Sequence, residues 1–280
     1  IMEKKRLNRS PYQHLIKYWV TNIVILLFST MIFAEPISPL SNNEDFNPEE
    51  VRLGKSLFNS PLLSADNSIS CATCHDIANG GDDGLTTSIG INAQAGPINA
   101  PTVLNSRFNF AQFWDGRAAT LEEQTEGPIH NTLEMGSNWQ QVINKLNTDS
   151  KTVKMFKAVY NEEINKDNIT KAIVSYEKQL VTLNSPFDQF LSGSKDAISE
   201  SAKEGYYLFK QMGCISCHQG KNIGGNMYQY FGIMGNYFED RGDIKTVDLG
   251  VYNRTRKESD KYKFKVPSLR NIEKTSPYFH

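Results

Sequence analysis

The 280-residue chain contains four cysteines, and all four fall in two copies of one short pattern. Cys71 and Cys74 precede His75 in "CATCH", and Cys214 and Cys217 precede His218 in "CISCH", 143 residues further on. Two thiols at this spacing can add to the two vinyl groups of one haem, and the adjacent imidazole then supplies an axial nitrogen to the iron. Three other uses compete. A thioredoxin-like Cys-x-x-Cys wants a βαβ setting, and none is visible in the surrounding sequence. A zinc site built from the two pairs needs no histidine directly after each. A disulfide closed over two residues constrains the unfolded chain little, although an even count suits an exported protein. Two copies that consume every cysteine favour two covalent c-type haems, with His75 and His218 as iron ligands.

The motifs sit inside a longer repeat, which indicates the elements that must position them. "NPEEVRLGKSLF" precedes the first and opens as a helix should, with Asn47 as cap, Pro48 in the first turn and Glu50 three residues after the cap. "ISESAKEGYYLFKQMG" precedes the second, with Ala202, Gly205, Leu208 and Phe209 at helical spacing. Each motif is followed by a matching phrase, "APTVLN" (100–105) and "VPSLRN" (266–271). Helices are also expected at 139–147, at 151–160 and over "NITKAIVSYEKQLVTL", where Ile169, Ile173, Tyr176 and Leu180 form one apolar stripe. The expected fold is mainly α: two tandem c-type cytochrome domains, 35–183 and 198–280, joined by a Ser- and Gly-rich linker at 184–197. Trp114 lies thirteen positions after Pro101 and His280 thirteen after Pro267, so His280 corresponds to Trp114. The first domain runs far beyond Trp114, and the second is therefore expected to be truncated.

Residues 1–34 are basic and then apolar, "WVTNIVILLFSTMIFA", ending at Ala34. This reads as a secretory signal, with an uncleaved membrane anchor as the alternative. Without it the chain carries 25 basic and 30 acidic residues, a balance that argues against a nucleic-acid partner.

Over about residues 44–280 the chain resembles the bacterial di-haem cytochrome c peroxidases and their methylamine-utilisation relatives. "CATCH", "NAPTVLN", "FNFAQFWDGRAATLEEQTEGPI", "LEMG", "GCISCH" and "VPSLRNIEKTSPYFH" carry the resemblance. It implies a peroxide-reacting N-terminal haem and an electron-receiving C-terminal one. Glu134 matches the distal acid–base, and Gln124 the amide that orients peroxide. A carboxylate beside an open iron can move the peroxide proton from the inner to the outer oxygen. Pro128 between them is expected to shape the loop. Trp114 matches the tryptophan between the haems and a role in electron relay. Asn99, Thr275 and Pro277 match the positions that bind an inter-domain calcium, the last two through backbone carbonyls. His280 matches a histidine that contacts a propionate of the C-terminal haem. A homodimer, a periplasmic location, and a small cytochrome c or cupredoxin as electron donor are implied as well.

Two departures bear on mechanism. Many family members carry a histidine after "SIG" that caps the resting iron, and here Ile91 stands in its place. The N-terminal iron is therefore expected to be open without reductive activation, with His130 the nearest alternative ligand. The methionine that ligates the second iron in the family has no counterpart before His280, and neither Met227 nor Met234 replaces it. The function expected is reduction of hydrogen peroxide to water. A di-haem oxidase that modifies a partner protein and a non-enzymatic electron-transfer cytochrome are the rival readings.

Overall fold

The computed structural model describes residues 35–41 and 44–280, and the signal or anchor expected at 1–34 lies outside them. Asn47 accepts a hydrogen bond from the Glu49 amide and starts α1 (Pro48–Phe58). Glu50 does not fold back to complete a capping box. It is buried, and it accepts a 2.9 Å bond from the Tyr160 hydroxyl instead. The first motif forms the short α2 (Cys71–Cys74). Then follow α3 (Leu121–His130), α4 (Trp139–Thr148), α5 (Ser150–Tyr160) and α6 (Lys166–Glu177). The expected stripe of Ile169, Ile173, Tyr176 and Leu180 is buried along its whole length, although Leu180 lies past the helix end.

The main core forms where α1 crosses α6. Leu53 and Leu57 pack there with Ile129, Val142, Leu146, Phe156, Ile169 and Ile173. The crossing is close because Gly54 has no side chain: a Cβ at that position would lie 1.9 Å from the carbonyl oxygen of Ala172. A second cluster, Phe58, Val103, Leu104, Tyr176 and Leu180, lies beside α2.

Residues 184–197, expected as a linker, contain α7 (Pro186–Leu191) and a 3-10 turn at Lys195–Ala197. α8 (Glu200–Gln211) repeats the position of α1 and departs from expectation in its packing. Of its residues Tyr206 alone is buried; Ala202 and Gly205 are exposed, and Leu208 is 50% exposed. A Cβ on Gly205, the counterpart of Gly54, would meet nothing within 4 Å. The apolar spacing does form a helix, but of that face only Phe209 is half-buried, 6.4 Å from the His218 ring.

The remainder is loops with α9 (Tyr237–Arg241), α10 (Tyr252–Thr255) and one antiparallel ribbon. In the ribbon β1 (Tyr228–Tyr230) faces β2 (Lys263–Lys265), with Tyr228 opposite Lys265. An aromatic cluster of Trp114, Phe238 and Phe264, with Phe231, Tyr262 and Phe279 against it, fills the space beside the ribbon. Residues 36–280 form one compact unit.

Candidate functional site

The two copies of the repeated pattern share one hydrogen-bond scheme. The carbonyl of Gly81 accepts from the Val103 amide at 3.0 Å and lies 3.1 Å from His75 Nδ1. The carbonyl of Ile223 likewise accepts from the Leu269 amide at 3.2 Å and lies 3.3 Å from His218 Nδ1. Thr102 and Ser268 each donate a hydroxyl to the loop after the motif, to Gly80 O and Asn222 O. Asn105 and Asn271 both adopt left-handed backbone at the end of the phrase. "APTVLN" and "VPSLRN" thus hold the carbonyl that faces Nδ1, and an Nδ1–H donated to it presents Nε2 as the acceptor for a metal; at His218 the Pro267 carbonyl also engages the ring. Phe58 lies 6.5 Å from the His75 ring and Phe209 6.4 Å from the His218 ring. Burial lowers the pKa of both histidines, so both are neutral and suited to ligation.

Around the first motif lies a cleft enclosing about 1360 Å³ of space, part of it open to solvent. Cys71, Cys74 and His75 line it together with Leu63, Ile129, Val103 and Ile173, walls that suit a porphyrin face. Burial pushes the Cys71 thiol up to about 12 and the Cys74 thiol up to about 11. Such thiols are poor thiolates, unlike those of redox Cys-x-x-Cys pairs. All four cysteines are free, and the described residues contain only the two-stranded ribbon as sheet. The thioredoxin-like alternative has no scaffold here. The second motif is more open: Cys214 is exposed, and Cys217 and His218 are half-buried.

Gln124 and Glu134 line the same cleft as His75. Thr120 caps α3 by accepting from the Glu123 amide, and this helix carries Gln124. Pro128, expected in a loop, is inside α3; its carbonyl accepts from the Met135 amide in the turn that follows. Asn131 organises that turn, donating from Nδ2 to Glu134 Oε1 at 2.6 Å. Burial raises the pKa of Glu134, opposed by the Asn131 bond and the charge of Arg117. The "SIGI" loop docks directly against this turn: the Ile91 amide donates to Glu134 O at 2.8 Å. A Cβ on Gly90 would strike the Leu133 carbonyl at 1.9 Å. Ile91 itself is buried with its side chain against Gly136, and it does not line the cleft. His130 is exposed at the end of α3, 6.0 Å from the Trp139 ring, and does not line it either.

Trp114 is buried at the edge of the cleft, donating Nε1–H to the Asn99 carbonyl at 2.9 Å. Asn99 donates Nδ2–H to Leu85 O. The Thr275–Pro277 segment borders the same stretch of loop: a Cβ on Gly80 would lie 2.9 Å from Lys274 O, and one on Gly84 4.0 Å from Ser276 O. His280, the repeat counterpart of Trp114, lies 5.9 Å from it and stacks on Phe279 at 4.0 Å. Its Nε2 is 4.0 Å from Asp248, and burial lowers its pKa to about 4.

Sequence reasoning missed three charged residues of the cleft wall: Arg117, Glu177 and Lys265. Glu177 could have been noticed, because it continues the apolar stripe of α6 four residues after Ile173. Lys265 carried no such signal, since a lysine in an alternating strand reads as solvated.

A family model described as di-haem cytochrome c peroxidase matches residues 48–196. The chain is 45% identical over 247 residues to cytochrome c peroxidase Ccp of Escherichia coli K12, covering 88% of this chain and 53% of that protein. It is 46% identical over 247 residues to the cytochrome c551 peroxidase of Nitrosomonas europaea, covering 88% of this chain and 72% of that one. The chain thus spans about half the length of the first relative and about seven tenths of the second. Among solved structures, a MauG-like protein associated with microbial copper homeostasis matches with a TM-score of 0.75 and 25% identity, over 87% of this chain and 75% of that one.

Proposed function

Because the chain belongs to the di-haem cytochrome c peroxidase family, we propose that it reduces hydrogen peroxide to two waters with two electrons from a small reduced protein. The observation that carries the reading is the single cleft that gathers Cys71, Cys74, His75, Gln124 and Glu134. A haem attached there supplies the iron centre at which peroxide binds and is reduced. Cys71 and Cys74 are its covalent anchors, and Gly81 orients His75 as its ligand. Asn131 holds Glu134 Oε1 and leaves Oε2 to exchange a proton. Burial raises the pKa of this carboxyl, so Glu134 takes a proton more readily than an exposed glutamate does, serving first as base and then, protonated, as acid. Gln124 supplies a neutral hydrogen bond that orients the peroxide oxygens. Ile91, turned toward Gly136, would offer no ligand to the iron.

Cys214, Cys217 and His218 hold the second haem, in a second cytochrome-like half beyond residues 184–197. Trp114 relays electrons between the two. Asn99, Thr275 and Pro277 bind a calcium ion, a reading that rests on the resemblance and on their placement around the loop at 80–85. The donor is a small cytochrome c or copper protein, and the enzyme acts as an exported, periplasmic homodimer; these rest on the resemblance alone. Among the described residues no helix is long and apolar enough to cross a membrane.

The test is steady-state oxidation of reduced cytochrome c by peroxide, using haem-loaded protein taken directly from its oxidised form. Turnover without prior reduction is expected, and Glu134→Gln lowers it by about 10²–10⁴-fold while both haem spectra persist. A loaded protein that never oxidises cytochrome c contradicts the peroxidase reading and favours an oxidase acting on a partner protein.

A further inference from the structure

Lys265 is 7% exposed and is one of the residues that line the cleft, as are Trp114 and Arg117. Strand β2 fixes it there: its amide donates to the Trp114 carbonyl at 2.8 Å, and it pairs with Tyr228 across the ribbon. Among the described residues its ammonium has no hydrogen bond or ion pair, and only the charge of Asp115 acts on it. Asp115 is near enough to act on it electrostatically, yet its carboxylate is bound to Arg117 at 3.0 Å. Arg117 in turn lies over the Phe113 ring, with its guanidinium carbon 3.4 Å from the centroid. Of the acids in the cleft wall, Glu134 is bound by Asn131, and Glu177 lies by Cys71. A buried ammonium with no bonded partner is costly unless an anion arrives with a ligand.

The ligand that fits the cleft brings such anions. Thioether bonds to Cys71 and Cys74 fix the vinyl-bearing edge of a porphyrin, and its two carboxylates lie on the opposite edge. We propose that Lys265 binds a carboxylate of the haem attached at Cys71 and Cys74, so that a strand from the C-terminal half clamps the N-terminal cofactor. The inference rests on the two-haem reading and adds a positioning residue to it. Burial also lowers the pKa of Lys265 to about 8, the mark of an ammonium lacking its partner. A cation at that edge stabilises the reduced, less positive iron, so Lys265 raises the reduction potential of the His75 haem.

The experiment uses the haem-loaded chain and two readouts besides activity: the midpoint potential of the His75 haem, and its propionate bending mode in resonance Raman. Lys265→Met is expected to lower the potential and shift the mode, and Lys265→Arg to restore most of the potential. Lys263→Met is the control, because Lys263 pairs with Asp260 and does not line the cleft; it should move neither. A loaded Lys265→Met protein with unchanged potential and unchanged mode overturns the proposal. Should that variant fail to accumulate, Lys265→Arg decides alone: its altered donor geometry shifts the mode, and an unshifted mode overturns the proposal. Wild-type protein lacking covalent haem at Cys71 and Cys74 overturns the two-haem reading itself.

Discussion

At the scale of single residues, spacing defines the haem anchors, while burial sets the behaviour of the acids that share their cleft. Cys71, Cys74 and His75 announce a haem by spacing alone. Gln124 and Glu134 read as ordinary polar residues until the turn at Asn131 brings Glu134 into the cleft with Gln124. Glu177 is the sharper case, because its behaviour is set by burial. It is 6% exposed, its Oε2 has no hydrogen-bond partner among the described residues, and burial raises its pKa to about 8. The unfolded chain would hold this carboxyl near the ordinary glutamate value, about 4.3. Below that value both states are protonated and the group's contribution to stability is fully present. As pH rises toward about 8 the unfolded state releases a proton that the folded state retains, so stability falls across this window. Glu177→Gln removes the slope. Thermal melts should show the variant gaining on wild type from about pH 5 to pH 8, by on the order of 1–3 kcal/mol at the upper end. Parallel curves for the two proteins would mean that Glu177 is solvated or paired.

At the scale of elements, the helices from 139 to 177 were legible because their apolar spacing matches the helical period and each begins at a capping residue: Asn138, Asp149 and Asn165. What a helix packs against is not written in its own period. α1 and α8 carry the same glycine three residues before the same Leu-Phe pair, yet Gly54 touches the backbone of Ala172 while Gly205 faces open space. Substituting alanine therefore has opposite signs at the two positions. Gly54→Ala must push α1 off α6 and should cost about 1–3 kcal/mol by denaturant titration of the 280-residue chain. Gly205→Ala meets nothing and restricts the unfolded chain, a gain of about 0.5–1 kcal/mol. Equal effects at both sites would show that the two helices have equivalent surroundings.

At the scale of the whole molecule, the segment at 184–197 shows why composition misleads about connections. Its serines and glycine suggest a passive tether, but it carries Asp188, one of the most buried carboxylates in the chain. Asp188 accepts from the Leu40 amide at 3.0 Å and from Arg270 at 3.0 and 3.2 Å. Arg270 also donates to the carbonyls of Lys221 and Ser38. One ion pair thus joins the segment at 38–40, α7, the loop after "CISCH" and the "VPSLRN" phrase. Burial alone would raise the pKa of Asp188, but the bonds from Ser185 and Arg270 outweigh it and the net shift is downward. The pair therefore stabilises the fold above the ordinary aspartate range, and that stabilisation is lost as pH falls through the depressed pKa. Arg270→Met leaves a buried carboxylate without its charge partner and should cost about 3–5 kcal/mol near neutral pH. Asp188→Leu combined with Arg270→Met removes the stranded charge, so the double variant should recover much of that loss. Chemical denaturation of Arg270→Met, of Asp188→Leu and of the double variant measures the coupling. If the double variant is destabilised by the sum of the two single losses, the pair is not the joint that holds these four segments together.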